Sequence, residues 1–179
     1  MNLLSMNLKS AIEKLTLILV TVAFLTLSIF AQAKTAANTA NVINIREAGV
    51  QYEVPQGWRI QQHQDALQIT SSDGAVSIII AVAANDNTEA MIGGLKEYLK
   101  KDYQNYKVAS QLQEEQINGL KVLIENGSGE TSEGVMEWNI AVILGGKRPL
   151  IAFTVSDQKL FSGNQADYIK LVQSLRKAL

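Results

Sequence analysis

The sequence predicts an α+β domain: an antiparallel β-sheet of about six to seven strands with helices packed on it, an α/β/α sandwich. Three observations carry this. Short stretches of apolar–polar alternation are separated by hairpin turns, with Asn118-Gly119 the strongest such signal. The run Val76–Ala83, VSIIIAVA, is apolar on both faces, as a central strand covered on both sides must be. Two further stretches repeat apolar residues at three- and four-residue spacing, the mark of helices with one buried stripe.

The elements follow in order from an N-terminal address. Lys9 and Lys14 flank Glu13, and the apolar run Leu15–Phe30 closes with Ala31-Gln32-Ala33 before Lys34. A basic start, an apolar middle and small residues one and three positions before a cut are what an export signal requires. Residues 1–33 are therefore read as a signal peptide cleaved between Ala33 and Lys34, with Ala31, Ala33 and Lys34 forming the cleavage site. Translation from Met6 would preserve both lysines. The alternative is a retained membrane anchor, because Leu15–Ala33 approaches the roughly 20 residues that span a bilayer. No twin-arginine pair is present, so the general secretory route is implied.

Residues 34–47, small and polar, read as a flexible linker, leaving 48–179 as a single domain. Val50, Tyr52 and Val54 alternate with Gln51 and Glu53 as a strand. Pro55-Gln56-Gly57 is expected to turn the chain with proline at the second turn position. A short strand starts at Trp58, another covers Ala66–Ser71, and Ser72-Asp73-Gly74 leads into Val76–Ala83. Thr88 is expected to cap the first helix, with Met91, Leu95, Leu99 and Tyr103 inward beside Ile92 and Tyr98. Gly93-Gly94 within that helix suggests close approach to the sheet. Strands are expected at Val108–Ile117 and, after Asn118-Gly119, at Leu120–Glu125. Gly127–Gly134 reads as a polar loop. Val135–Leu144 and Leu150–Ser156 follow as strands joined at Gly145–Arg148. A final helix from about Asn164 faces Tyr168, Leu171, Val172 and Leu175 inward.

Composition removes several functions. The chain has no cysteine, which excludes a catalytic thiol, a thiolate metal site and a lipidated cysteine after the signal. There are 16 Lys and Arg against 17 Asp and Glu; without Lys9, Lys14 and Glu13 the remainder holds 14 basic and 16 acidic residues, a net of −2. No basic stripe interleaved with aromatics appears, so nucleic acid is not an expected partner.

The opening Tyr52–Trp58, YEVPQGW, resembles the strand-turn-tryptophan start of the Mog1/PsbP-like superfamily. Further similarities are the long helix after the first strands, the Asn118-Gly119 hairpin, the Gly146–Arg148 turn before a strand, and the closing QSLRKAL, Gln173–Leu179. The resemblance spans roughly 48–179 and rests on fold features instead of a chemical site. It implies an antiparallel sheet between helices and a family that mostly binds other proteins. No acidic or histidine cluster matches the metal contacts proposed for some PsbP proteins, so a photosystem role is not carried over.

Candidate sites are few. His63, the one histidine, sits near Asp65 and reads as a solvated loop residue before it reads as a metal ligand or general base. Asn85-Asp86-Asn87 is oxygen-rich but supplies too few ligands for calcium, and reads as the start of a helix. Glu114-Glu115 lacks a visible paired acid. Trp58 and Trp138 read as core. No catalytic, cofactor or metal residue is assigned and no cofactor is expected. Ser128, Glu130, Thr131, Ser132 and Glu133 are the candidate partner-contact loop. The expected function is an exported, non-enzymatic binding or accessory protein in the cell envelope, its partner another envelope protein. It would touch a membrane only through an uncleaved N-terminal segment. The alternatives are an envelope hydrolase whose carboxylate/His site is assembled only by folding, and a membrane-tethered adaptor.

Overall fold

The central strands of the domain are buried on both faces, and the architecture follows from covering them. The computed structural model describes residues 41–83 and 87–178. The signal segment, its cleavage site and residues 85 and 86 of the Asn-Asp-Asn motif lie outside the described residues. The chain runs through β1 (Asn41–Ile45), β2 (Val50–Val54), β3 (Arg59–Gln62), β4 (Leu67–Thr70), β5 (Val76–Val82), α1 (Thr88–Asp102), β6 (Gln104–Val108) and β7 (Gln113–Ile117). It continues through β8 (Leu120–Thr131), β9 (Gly134–Leu144), β10 (Leu150–Asp157), α2 (Phe161–Ser174) and β11 (Arg176–Lys177).

The strands make two antiparallel sheets. The main one has the order β3-β4-β5-β10-β9-β8-β6, with β7 also pairing β8. Strands β6 and β7 lie end to end along the long β8, at Gly127–Glu130 and Leu120–Ile124 respectively. The small sheet is β1-β2-β11. One face of the main sheet carries Ile69, Ile78, Ile80, Val122, Ile143 and Leu150 into a core shared with Val50, Tyr52 and Val54 of the small sheet and Leu171 and Leu175 at α2. On the other face lie Ile79, Phe153, Ile140 and Trp138, all buried. There α1 is tied down by an ion pair, Lys96 Nζ to Glu125 Oε1 at 2.7 Å, with the Glu125 side chain 5% exposed. This is the predicted α+β sandwich, with an eight-stranded main sheet and a separate small sheet in place of six or seven strands in one.

Several local expectations are corrected. The reading of 34–47 as a linker fails at Asn41–Ile45, which pairs with β2 from Asn41↔Val54 to Ile45↔Val50. The turn after β2 closes from Trp58 N to Pro55 O at 3.2 Å, so Pro55 is its first residue and Gly57 its third. Asn87, and not Thr88, caps α1, its Oδ1 accepting from Ala90 N at 3.0 Å. A Cβ on Gly93 would meet nothing within 4 Å, so close approach does not account for that glycine. The strand expected at Val108–Ile117 is two strands separated by residues 109–112. The loop expected at Gly127–Gly134 is strand as far as Thr131, and the chain turns at Ser132-Glu133. Trp58 and Trp138 are core, as expected.

The long β8 is possible because its glycines let aromatics lie against it. A Cβ on Gly127 would collide with the Trp138 indole and the Lys107 carbonyl, and one on Gly129 would collide with Tyr103, with Tyr103 Cβ at 2.6 Å. Trp138 in turn stacks on Tyr106, ring centroids 5.4 Å apart and 4° from parallel. A register shift in β6 between Gln104 and Lys107 accompanies this stack.

All five tyrosines have phenol pKa values raised above the ordinary 10, in each case first by burial. Tyr103 is pushed up to about 12. The native state therefore holds protons that the unfolded chain releases near pH 10, so this stability is complete below pH 10 and declines as pH rises through the native values. Titration at 295 nm is expected to show tyrosinate appearing in one step together with loss of near-UV circular dichroism. Ionisation at pH 10 with the fold intact would contradict it.

Candidate functional site

Helix α2 is fixed at both ends by polar ties and along its length by Tyr168 and Leu171, which pack into the core. Near its N-terminus, Asn164, 7% exposed, donates from Nδ2 to Asp73 Oδ2 at 2.9 Å. The other oxygen, Asp73 Oδ1, accepts from Ser71 Oγ at 2.7 Å and Ala75 N at 3.0 Å. These donors, Asn164 foremost, hold the Asp73 carboxyl below its usual range. At the C-terminus, Asn118 Nδ2 donates to Gln173 O at 2.7 Å and Leu175 O at 2.8 Å, which satisfies carbonyls that a helix end leaves open. Asn118 can do this because the β7–β8 hairpin is so tight. Asn118 and Gly119 both have positive φ, 47° and 77°, and Ile117 pairs with Leu120. Ser174 Oγ adds a third tie, accepting from Glu53 N at 2.8 Å.

Between these ties lies a groove of about 1020 Å³, bounded by α2 on one side and by β7 and Ala109 on the other. Its floor is made of cross-strand rows from β8, β9 and β10. In register they run Val122–Ile143, Ile124–Ala141–Ala152, Asn126–Asn139–Thr154 and Ser128–Glu137–Ser156. Two apolar rows are thus followed by two polar ones, and the second apolar row is shallow-sided because two of its members are alanine. Asn139 Nδ2 donates to Asn126 Oδ1 at 2.6 Å, and Gln158 Nε2 to Glu137 Oε1 at 3.3 Å. Thr154 hydrogen-bonds the Tyr168 hydroxyl of α2. The groove thus sets apolar side chains beside neutral amides and hydroxyls, the mixture common in ligand clefts.

The expected site residues are spread over different places. Ser128 lies in the last polar row of the groove. Glu130, exposed, lies near the end of β8 between Gln104 of β6 and Val135 of β9. Thr131 Oγ1 accepts from Glu133 N at 3.2 Å and closes the turn that presents Ser132 and Glu133 to solvent. His63 lies between β3 and β4, its Nε2 3.3 Å from Gln68 Oε1 and its backbone N donating to Ala66 O. Neither His63 nor Asp65 lines the groove. Among the described residues no group of three His, Cys, Asp or Glu could hold a metal ion. Glu114 pairs with Lys121 at 2.6 Å, while Glu115, opposite Val122, lines the groove.

Asn126, Glu137, Asn139 and Tyr168 were not singled out by the sequence. The available signal was a shared gradient: β8 and β10 each pass from apolar to polar along one face, and β9 does so in reverse.

No family model matches the chain, and no curated protein sequence does. Solved structures do match. LpqN of Mycobacterium tuberculosis, described as involved in cell envelope biogenesis, aligns with a TM-score of 0.55 at 9% identity, covering 79% of this chain and 91% of that one. Cyanobacterial PsbP from Synechocystis aligns with a TM-score of 0.55 at 11% identity, covering 83% and 98%. A structure from Bacteroides thetaiotaomicron aligns with a TM-score of 0.53 at 7% identity, covering 78% of this chain and 49% of that one. At these identities the likeness is one of fold, and the fold is Mog1/PsbP-like.

Asn118→Gly keeps the left-handed turn and removes both bonds to the end of α2. It is expected to cost about 1–3 kcal/mol in denaturant unfolding, with faster amide exchange at residues 171–175. Unchanged stability would show that the helix end is held without Asn118.

Proposed function

We propose that the chain is an exported, non-enzymatic binding or accessory protein that acts through protein–protein contacts in the cell envelope. The observation that carries this is the groove beside α2. It has a graded apolar-to-polar floor and a wall fixed at both ends, so its shape exists before any partner arrives, which lowers the ordering cost of binding. The hydrolase alternative called for a pocket that draws His63, Asp65 and a further acid together. The groove is lined by neither residue, and its polar groups are amides and hydroxyls with two carboxylates on separate strands.

The envelope setting is supported by the basic–apolar–small pattern of residues 1–33 and by the fold shared with an envelope-biogenesis protein. No helix among the described residues is long and apolar enough to cross a membrane. Release after cleavage is the reading preferred over a tether.

Affinity capture from envelope extracts with the full chain is expected to recover the same protein partner reproducibly; recovery of none would overturn the binding reading. Mass spectrometry of the exported product is expected to find Lys34 at its N-terminus. A product retaining Leu15–Phe30 would convert the released protein to a tethered one.

A further inference from the structure

The charges in the groove narrow what it can hold. Among the described residues that line it, Glu115 and Glu137 are the charged ones, and no Lys, Arg or His accompanies them. Lys121 is engaged by Glu114, and the side chain that approaches Glu137 is the neutral Gln158. The lining itself therefore carries net negative charge, and the cation nearest by register is Lys107, beside Ser128 at the β6 end of the Glu137 row. A phosphate, sulfate or carboxylate ligand would find a carboxylate at each end and no cation in the lining to bind it.

The spacing is equally informative. Glu115 is in register with Val122 and Glu137 with Ser128, so six residues of β8 separate them, about 20 Å along the strand. An extended polypeptide covers that length in about six residues. Between the two carboxylates the floor offers first small apolar cups at Ala141 and Ala152, then the amides of Asn126 and Asn139. A single-headed amphiphile fits this poorly. Its tail would end beside Glu115, and any hydrocarbon crossing the asparagine row would leave buried amides unpaired.

Building on the protein-binding reading, we propose that the groove receives an extended segment of a partner protein, about six residues long, with a basic side chain near each end and small apolar side chains between. Backbone amides of the segment meet the asparagine row, its apolar side chains rest on the alanine row, and its basic groups face Glu115 and Glu137.

The test uses the full chain and two fluorescent hexapeptides with the same central sequence of valine, alanine, asparagine and valine. One is closed by lysine at both ends, the other by glutamate. Anisotropy is expected to show the lysine peptide binding at least about tenfold more tightly, with the preference shrinking as salt rises. The isosteric pair Glu115→Gln and Glu137→Gln is expected to weaken the lysine peptide about tenfold together, and Ala141→Trp to block it by filling the cup. Equal affinity for both peptides, or indifference to the glutamine pair, overturns the proposal. So does a fluorescent acyl probe, or self-association, that Ala141→Trp abolishes while the lysine peptide fails to bind. If Ala141→Trp still captures the envelope partner, the partner does not use the groove: this inference falls and the protein-binding reading stands. If no partner is captured by the unmodified chain, the protein-binding reading falls, whatever the peptides do.

Discussion

Helix α2 is attached to the rest of the domain by polar ties at its ends and by Tyr168 and Leu171 between them. At one end Asn164 and the Asp73 carboxylate hold it to the β4–β5 turn; at the other Asn118 of the β7–β8 hairpin and the backbone of Glu53 hold its last turn. These contacts join segments distant in sequence, and each polar atom involved would be costly to leave unpaired. A helix held this way packs against β2 and leaves a groove beside it over parts of β8, β9 and β10. The groove is what remains when a helix is fixed by polar ties at its ends and only partly by apolar contact along its length.

The two faces of the sheet solve different problems. Under α1 the packing is close: glycines at 127 and 129 let Trp138 and Tyr103 lie flat on the strand, and Glu125 is buried with Lys96 reaching it. A face filled this tightly adds stability and leaves little room for a ligand. Under α2 the same strands carry small and polar side chains at their far ends. Because alternate residues of one strand serve opposite faces, β8 and β9 build a close-packed face and the floor of an open groove at once.

Much of the fold was legible from local pattern. The doubly apolar β5, the Asn118-Gly119 hairpin and the α1 stripe each express a strong local preference that the tertiary structure keeps. The missed parts have physical reasons. Residues 127–134, Gly-Ser-Gly-Glu-Thr-Ser-Glu-Gly, have the composition of a turn, yet their glycines answer a steric demand set by Trp138, Tyr103 and the Lys107 carbonyl, which no local pattern announces. Strand β1, with Val42, Ile43 and Ile45, follows directly on a small polar stretch that hides it, and it gains its order from pairing with β2. The groove needed register: only when Asn126 is set beside Asn139 and Thr154 does a gradient shared by three strands become one surface. His63, chemically conspicuous in the sequence, stands at the margin of the sheet.

The small sheet places the first and last strands of the domain on either side of β2. Strand β1 runs beside it over five pairs, from Asn41↔Val54 to Ile45↔Val50, and β11 lies on its other side at Gln51 and Val50. This arrangement has a mechanical meaning. Tension drawn along the axis of β1 through its N-terminal end would load all its pairings with β2 together, in shear, instead of peeling them one at a time. A domain pulled by its leading end in that direction would yield only when the whole strand slipped, and α2, tied to β2 through Ser174, would feel the strain before the central sheet did.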